Sequence, residues 1–332
     1  MVNKFENLSV LIVGCGSIGR RHARILHGLG VKDIRACDPV EAQRNALLLE
    51  TPVQLFTSYE QGLASRPATV FICTAPQLHI SMALQAVEAG AHVFCEKPLS
   101  DSSVDFDKLS NVAQLAQRQI MTGLCFRYHK GLTRAKSLLA SGRWGRLAAI
   151  RCLVGEHLPS VRPDYRTLFS ARDGGAFDLT HEVDLAVWFS ERAFKQVRCL
   201  TGNCSEINIA APDIAVILIE FEDQCLASIH LDFFQQPRRR STELICTQGV
   251  ITVEFSRWDR CTVSFCGPDS IWTHEQLITD RDDMFRAEDT AFLNAVIQNK
   301  VVSCGIDEAR QSVEIVEIAR ADSTYRKTSL SI

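Results

Sequence analysis

The chain has 332 residues, 46% hydrophobic and 23% charged, with a net charge of −3. This is ordinary globular composition, long enough for two domains, and it gives no reason to expect a nucleic acid or an anionic membrane as partner. No apolar stretch approaches the ~18–20 residues that a membrane span requires.

Thirteen cysteines sit mostly inside apolar runs such as VFICT and HVFCEK, and there is no CxxC. They read as buried hydrophobes in a reducing cytoplasm, not as disulfides or metal ligands. The opening MVNKFENLSVLIVG lacks a signal-peptide layout and runs almost directly into a strand, so a cytoplasmic location is expected.

The first third alternates strand and helix. SVLIVG (9–14) is a near-continuous apolar run, as a strand covered on both faces requires. GCGSIGRRHARILHGLG follows, a glycine-rich turn and an amphipathic helix that Gly28 or Gly30 ends. DIRACD (33–38) is a second strand and EAQRNALLLE a helical stretch. VQLFT, ATVFICT and HVFCEKP supply further strands, with QLHISMALQAVEAG as the helix between the last two. Such alternation predicts βαβ units and a parallel sheet with helices on both faces.

Gly14, Gly16 and Gly19 form a GxGxxG that follows a strand and, through Ser17 and Ile18, opens a helix; Asp38 ends the next strand about 20 residues on. In this context Gly14 permits a tight turn, Gly16 lets backbone approach a pyrophosphate, and Gly19 lets helix and strand pack closely. The helix N-terminus offers N–H groups and partial positive charge to the phosphates. Asp38 accepts from the adenosine ribose hydroxyls and repels a 2′-phosphate, which favours NAD over NADP, although Arg35 and Arg44 lie nearby. The bland alternative is a glycine turn with a surface aspartate.

Ligands bind at the carboxyl ends of parallel strands, so Thr74, Ala75 and Pro76, ending VFICTAP, belong beside the cofactor. His79 stands with them as a cofactor neighbour or as a helix-start residue packed under the loop, not as a catalyst. CEKPLS (95–100) places Glu96 and Lys97 at another strand end, before Pro98. A cis Lys97–Pro98 bond would hold the lysine in a defined direction. Lys97 then binds a substrate hydroxyl and tunes a proton-transfer partner, or else Glu96 and Lys97 are a surface pair before a turn.

The boundary is expected near residue 123, with a dinucleotide-binding domain over 1–123 and a substrate-binding and oligomerisation domain over 124–332. KGLTRAKSLLASG reads as helix and RLAAIRCLVG as a long strand. QVRCLTGNC, DIAVILIEF, CLASIHLDFF, STELICTQG and VITVEF follow as extended segments, and helix returns in DMFRAEDTAFLNAVIQN and EARQSVEIVEIAR. The fold class is α/β: an N-terminal Rossmann parallel sheet, then an α+β domain with a large, mostly antiparallel sheet, one face of it open.

GGAFDLTHEVDLAVW (174–188) reads as a helix over 176–190 with Asp178, His181 and Asp184 each three residues apart. At that spacing they share the face that normally packs inward. His181 is a proton-transfer group or a satisfied core histidine; Asp184 reads as structural, a cap or salt bridge. No His or Cys cluster accompanies them at ligand spacing, so no metal is expected. Arg127 and His129, with Asp164, Tyr165 and Arg166 of RPDYR, are candidate substrate contacts. His230 and Asp232 alternate along one strand face. PRRR (237–240) is a solvated charge run or meets an anionic substrate.

Taken together, GCGSIGRRH, TAPQLH, CEKP, FRYH and DLTHEVD with its following tryptophan resemble the Gfo/Idh/MocA oxidoreductases (glucose–fructose oxidoreductase, inositol dehydrogenase and relatives) over essentially the whole chain. The resemblance implies an NAD(P)-dependent dehydrogenase or reductase acting on CH–OH groups of sugars, inositols and their nucleotide or amino derivatives, working as a homodimer or homotetramer. By the same resemblance Lys97 lies between nicotinamide and substrate, His181 is the catalytic acid/base, and Asp178 is the aspartate that accompanies it. Three features depart from the commoner pattern: GGA in place of GGG, an aspartate three residues before the histidine in place of four, and Lys130 after FRYH where proline is more usual. DLTHEVD and HLDFFQQPRRR look more like a branch linked to bacterial surface-sugar and sialic-acid-like biosynthesis.

Three readings follow. The first is an NAD-dependent dehydrogenase of a small-molecule sugar or nucleotide sugar. The second is a non-catalytic regulatory protein that senses NAD(H) or sugar, against which the pairing of Lys97 with His181 argues. The third is a reductase of a biliverdin- or dihydrodiol-like ring; an aromatic content of 8% leans instead toward polyhydroxylated ligands.

Overall fold

The computed structural model describes residues 4–168 and 174–329. Along 9–123, β1 (Ser9–Val13), α1 (Ser17–Gly28), β2 (Asp33–Cys37), α2 (Glu41–Glu50), β3 (Gln54–Phe56), α3 (Tyr59–Ala64), β4 (Thr69–Ile72), α4 (Pro76–Glu88), β5 (His92–Glu96), α5 (Phe106–Leu115) and β6 (Ile120–Gly123) alternate. The six strands pair in parallel in the order β3-β2-β1-β4-β5-β6. Strand order therefore reverses between β1 and β4, the position where open parallel sheets bind ligands.

Helices cover both faces, which is why β1 is apolar without alternation: Val10, Leu11 and Ile12 have no exposed surface. Two helices go beyond the sequence reading. One of them, α3, is only six residues long, but its signal is present: the Ser58 hydroxyl caps the Gln61 N–H, and the Gln61 side chain returns to the Thr57 N–H. α5 carries Phe106 and Leu109 into the core shared with β1, β4, β5 and α4.

The remaining elements are α6 (Lys130–Ala140), β7 (Leu147–Gly155), α7 (Leu158–Val161), α8 (Tyr165–Leu168), α9 (His181–Ser190), β8 (Phe194–Gly202), β9 (Ile214–Phe221), β10 (Leu226–Asp232), β11 (Arg239–Cys246), β12 (Gly249–Glu254), β13 (Arg260–Cys266), β14 (Trp272–Ile278), α10 (Arg281–Gln298) and α11 (Ile306–Ser329). The chain divides into two units, one holding residues up to Cys125 together with Asp282–Val313, the other Phe126–Arg281 and the chain from Glu314. A single boundary near residue 123 does not contain this return of α10 and the start of α11 to the first unit.

In the second unit eight strands run in the order β14-β13-β12-β11-β7-β10-β9-β8. All neighbours are antiparallel except β7 and β10. Alternation sorts the faces: Ile150, Cys152, Ile217, Ile219, Ile229, Leu244 and Ile251 are buried. Their neighbours Arg151, Leu218, Leu226 and Glu243 point the other way. α9 packs on β7 and β10, and α6 on β12 and β13. Among the described residues no helix is long and apolar enough to cross a membrane.

On the first unit's sheet, Phe71 and Phe94 stack at 4.7 Å with Phe292 of α10 edge-on to both. Among these rings lies His22 of α1, fully buried. Its Nδ1 is 2.9 Å from Asp289 Oδ1 and its Nε2 is 3.1 Å from Glu96 Oε1. A carboxylate at each nitrogen suits only the doubly protonated ring. Burial opposes that charge, but Asp289 and Glu96 outweigh it and lift the His22 pKa from 6.5 to about 10. Because the folded value is the higher one, the stabilisation is complete below about pH 6.5 and is lost as pH rises through about 10. Urea unfolding across pH 7–10 is expected to show stability falling by on the order of 1 kcal/mol per pH unit, a slope that a His22→Leu/Asp289→Leu double variant loses.

Candidate active site

Two glycines of the 14–19 turn are required for separate steric reasons, and the third leaves its backbone open. Gly14 has φ +95°, and a Cβ there would stand 2.6 Å from the Cys73 carbonyl oxygen. At Gly19 a Cβ would fall 1.9 Å from the Gly14 carbonyl oxygen, so helix and strand meet only through glycine. At Gly16 a Cβ would meet nothing within 4 Å, leaving backbone open to an approaching group. No side chain caps the N-terminus of α1, whose first residues are Ser17 and Ile18.

Asp38 follows β2. Its Oδ2 accepts from the Cys15 N–H and its Oδ1 from the Val40 N–H, both at 2.8 Å, so the carboxylate is fixed beside the turn with lone pairs remaining on each oxygen. The two nearby arginines part ways. Arg44 donates to the Asp38 carbonyl at 2.6 Å, whereas Arg35 is committed to Asp33 and to the Ser65 carbonyl. An anion-binding helix start, an open glycine and an anchored acid suit a dinucleotide with free ribose hydroxyls, so the residues present fit NAD.

Thr74 and Ala75 follow β4, and Pro76 is the first residue of α4, where its missing N–H loses nothing. His79 lies beneath them without exposed surface. Its Nε2 faces the Thr74 carbonyl at 3.1 Å and its Nδ1 the Pro98 carbonyl at 2.9 Å, tethering the loops that follow β4 and β5. Burial holds its pKa below the usual value, against the pull of the two carbonyls. Glu96 ends β5, its Oε2 accepting from the Lys97 N–H at 3.1 Å, and the Lys97–Pro98 peptide is cis.

In the second unit the helix expected over 176–190 begins only at His181. Gly174 and Gly175 both have positive φ, +87° and +57°, and bend the chain into a 3-10 turn over Gly175–Asp178 instead. Asp178 and His181 therefore do not share one α-helical face. Asp178 is exposed, its carboxylate against the Gly174 Cα, and His181 is the half-buried first residue of α9, edge-on to Phe126 at 4.6 Å.

The rest of α9 is almost wholly buried, two carboxylates included. Asp184 receives two bonds from Arg127, at 3.1 and 2.7 Å. Glu182 receives two from Arg240, at 2.6 and 2.9 Å. The Arg240 guanidinium lies 3.9 Å over the Phe126 ring, the same ring that meets His181. Two forked ion pairs thus fix the rotation of the helix that presents His181.

Other candidates have settled places. His129 is buried beside Phe255, its pKa lowered to about 4 by burial and by the Arg240 and Lys130 charges, which keeps it neutral. Tyr165 is buried and donates to the Ile207 carbonyl, while Asp164 and Arg166 are exposed. His230 Nε2 lies 3.0 Å from Asp232. Within PRRR, Arg238 pairs with Glu156 and lies over Trp258, exposed Arg239 reaches Glu254, and Arg240 is the buried partner of Glu182. His22, Glu182, Arg240 and Asp289 escaped sequence reasoning as site residues. A signal was available only for Glu182, a charge inside the otherwise apolar α9, which marks a buried partner.

The sequence matches the profile of an oxidoreductase family with an NAD-binding Rossmann fold over residues 8–124, and that of the GFO/IDH/MocA C-terminal domain over 132–252. Inositol 2-dehydrogenase of Salmonella typhimurium is 28% identical over 216 residues, 63% of this chain; the match spans 62% of that relative's length. The myo-inositol 2-dehydrogenase of Lactobacillus plantarum superposes with a TM-score of 0.83 at 22% identity, over 96% of this chain and 98% of that one. The WlbA dehydrogenase of Bordetella pertussis, solved with NADH and UDP-GlcNAcA, superposes with a TM-score of 0.80 at 20% identity, over 96% of each chain. At these identities the two structures speak for the fold alone. With both profiles matched in order along the chain, this protein belongs to the Gfo/Idh/MocA family of NAD-binding oxidoreductases.

Proposed function

We propose that the protein is an NAD-dependent dehydrogenase that interconverts a hydroxyl and a keto carbon on a sugar, amino sugar or nucleotide sugar. The observation that carries this reading is the glycine turn with its anchored Asp38, which suits NAD. The family membership and the names of the inositol and nucleotide-sugar relatives add to it. Gly14, Gly16, Ser17, Ile18, Gly19 and Asp38 hold the adenosine and pyrophosphate, with Thr74, Ala75, Pro76, His79, Glu96 and Lys97 toward the nicotinamide. When bound, NAD accepts the hydride from the carbinol carbon.

The chain's own side chains handle the proton and the oxygen. His181 takes the hydroxyl proton as hydride departs, and returns it in reduction. Lys97 places positive charge on the oxygen where an alkoxide develops. Asp178 orients the imidazole or binds a neighbouring hydroxyl. Exposed Asp164 and Arg166 offer further hydroxyl- or phosphate-binding groups. Arg127, His129 and Tyr165 are buried in contacts with Asp184, Phe255 and the Ile207 carbonyl, and are not assigned to the substrate. Twelve of the thirteen free thiols are at least partly buried, which supports a reducing, cytoplasmic setting.

We assign self-association to the open face of the eight-stranded sheet, where Leu200, Leu218 and Leu226 are 59%, 53% and 56% exposed. Sedimentation is expected to show a dimer or tetramer that Leu218→Glu/Leu226→Glu dissociates to monomer.

The function is tested by following reduced-nicotinamide absorbance with inositols, sugars and UDP- or CMP-sugars. Turnover of at least one is expected. Tight NADH binding with turnover of none would favour the sensing alternative. With the active substrate, His181→Ala and Lys97→Ala are each expected to cut kcat by about 10²–10⁴ while calorimetric NADH affinity stays within a few-fold. Full activity in both would overturn the assignment. Asp38→Ala should weaken NADH binding at least about tenfold and narrow its margin over NADPH.

A further inference from the structure

His22 is an unexpected residue for the middle of an apolar layer. It is buried among Phe71, Phe94 and Phe285, where a leucine would pack without any charge to satisfy. Replacing buried ionic clusters with apolar residues is often neutral or stabilising, so stability of the fold does not explain its presence. What it reaches does. Its Nδ1 is held by Asp289, itself fully buried, and its Nε2 is aimed 3.1 Å from Glu96 Oε1. The other oxygen of the same carboxylate accepts from the Lys97 N–H at 3.1 Å. One carboxylate thus bridges a buried imidazole and the backbone of the residue assigned to the substrate oxygen.

We propose that His22, backed by Asp289, is a positioning residue that clamps the Glu96 carboxylate and through it fixes the backbone at Lys97. The proposal rests on the assignment of Lys97 made above. Glu96 is the member of the chain with surface showing, its side chain 12% exposed. Held on one oxygen only, it can turn toward water and release the Lys97 amide; held on both, it cannot. His22 also lies three residues beyond Gly19 on α1, the helix whose N-terminus is assigned above to the dinucleotide phosphates. A single side chain therefore ties the phosphate-binding helix to the strand end that carries Lys97. Around it stand Glu96 from β5, Asp289 and Arg286 from α10, and the thiols of Cys73 and Cys95.

Two near-isosteric variants separate the bonds. His22→Gln carries an amide nitrogen near the ε position and keeps the Glu96 bond while giving up Asp289. His22→Asn places its nitrogen near the δ position and does the reverse. Hydrogen exchange read at single-amide resolution is expected to show the Lys97 N–H about tenfold faster in His22→Asn, the scale of one charge-assisted bond. The amides of α5 should not change, and His22→Gln should recover most of the protection. With a turned-over substrate, kcat should fall about tenfold in His22→Asn, with KM for NAD within threefold, and recover in His22→Gln.

Equal behaviour of the two variants, in both readouts, overturns the proposal and leaves His22 a packing residue. If His22→Asn does not fold, Glu96→Ala, which removes the acceptor outright, gives the same test, and unaltered Lys97 exchange in that variant is equally fatal. Should Lys97→Ala keep full turnover while Lys97 exchange still follows His22→Asn, the clamp stands and the catalytic assignment of Lys97 fails.

Discussion

Taking a charged side chain out of water costs several kcal/mol unless an opposite charge receives it with good hydrogen-bond geometry. This constraint orders each unit around a few pairings. α9 is buried almost throughout and carries Glu182 and Asp184 inward, which is possible only because Arg240 and Arg127 meet them with forked bonds. Apolar contacts tolerate a helix rolling by some degrees about its axis; two bidentate pairs made two residues apart, on roughly opposite sides of the same turn, do not. The direction in which His181 leaves the start of α9 follows from those pairs, and the Phe126 ring between Arg240 and His181 passes the alignment on.

Steric exclusion does the corresponding work at the dinucleotide turn. Gly14 and Gly19 are there because any side chain would strike a carbonyl, while beside Gly16 the space is open to an approaching group. The turn thus presents bare backbone at the mouth of α1, with Asp38 already oriented by two backbone amides. Little remains to be ordered when a nucleotide arrives, which favours tight binding.

Much of this was legible in the chain, for local reasons. Strands buried on both faces have to be continuously apolar, so SVLIVG and ATVFICT announced themselves, and the glycine spacing acquired meaning from the strand before it and the acid after it. CEKP was readable as a strand end for the same reason. The start of α9 was not, because the paired glycines at 174–175 take left-handed backbone and produce a 3-10 turn where periodicity alone suggests α-helix. β13 and β14 carry the alternation of strands, yet β14 is an edge, polar and mostly exposed, and lacks the apolar face that usually marks one. Partnerships across the chain were the least visible. Nothing near His22 foretells Asp289, 267 residues away, and PRRR read as a charge run although its last arginine lies buried against Glu182.

That separation bears on how the protein is made. The imidazole of α1 and the rings of Phe71 and Phe94 emerge from the ribosome early, but Asp289 and Phe292, which complete their surroundings, are synthesised after the whole eight-stranded sheet. Until then the nascent first unit has strands and helices but an uncovered aromatic face and a histidine lacking one of its two acids. Such long-range closure is slow and leaves sticky surface waiting. The first unit of this protein is therefore encoded first and finished late, and the return of α10 is the event that completes it.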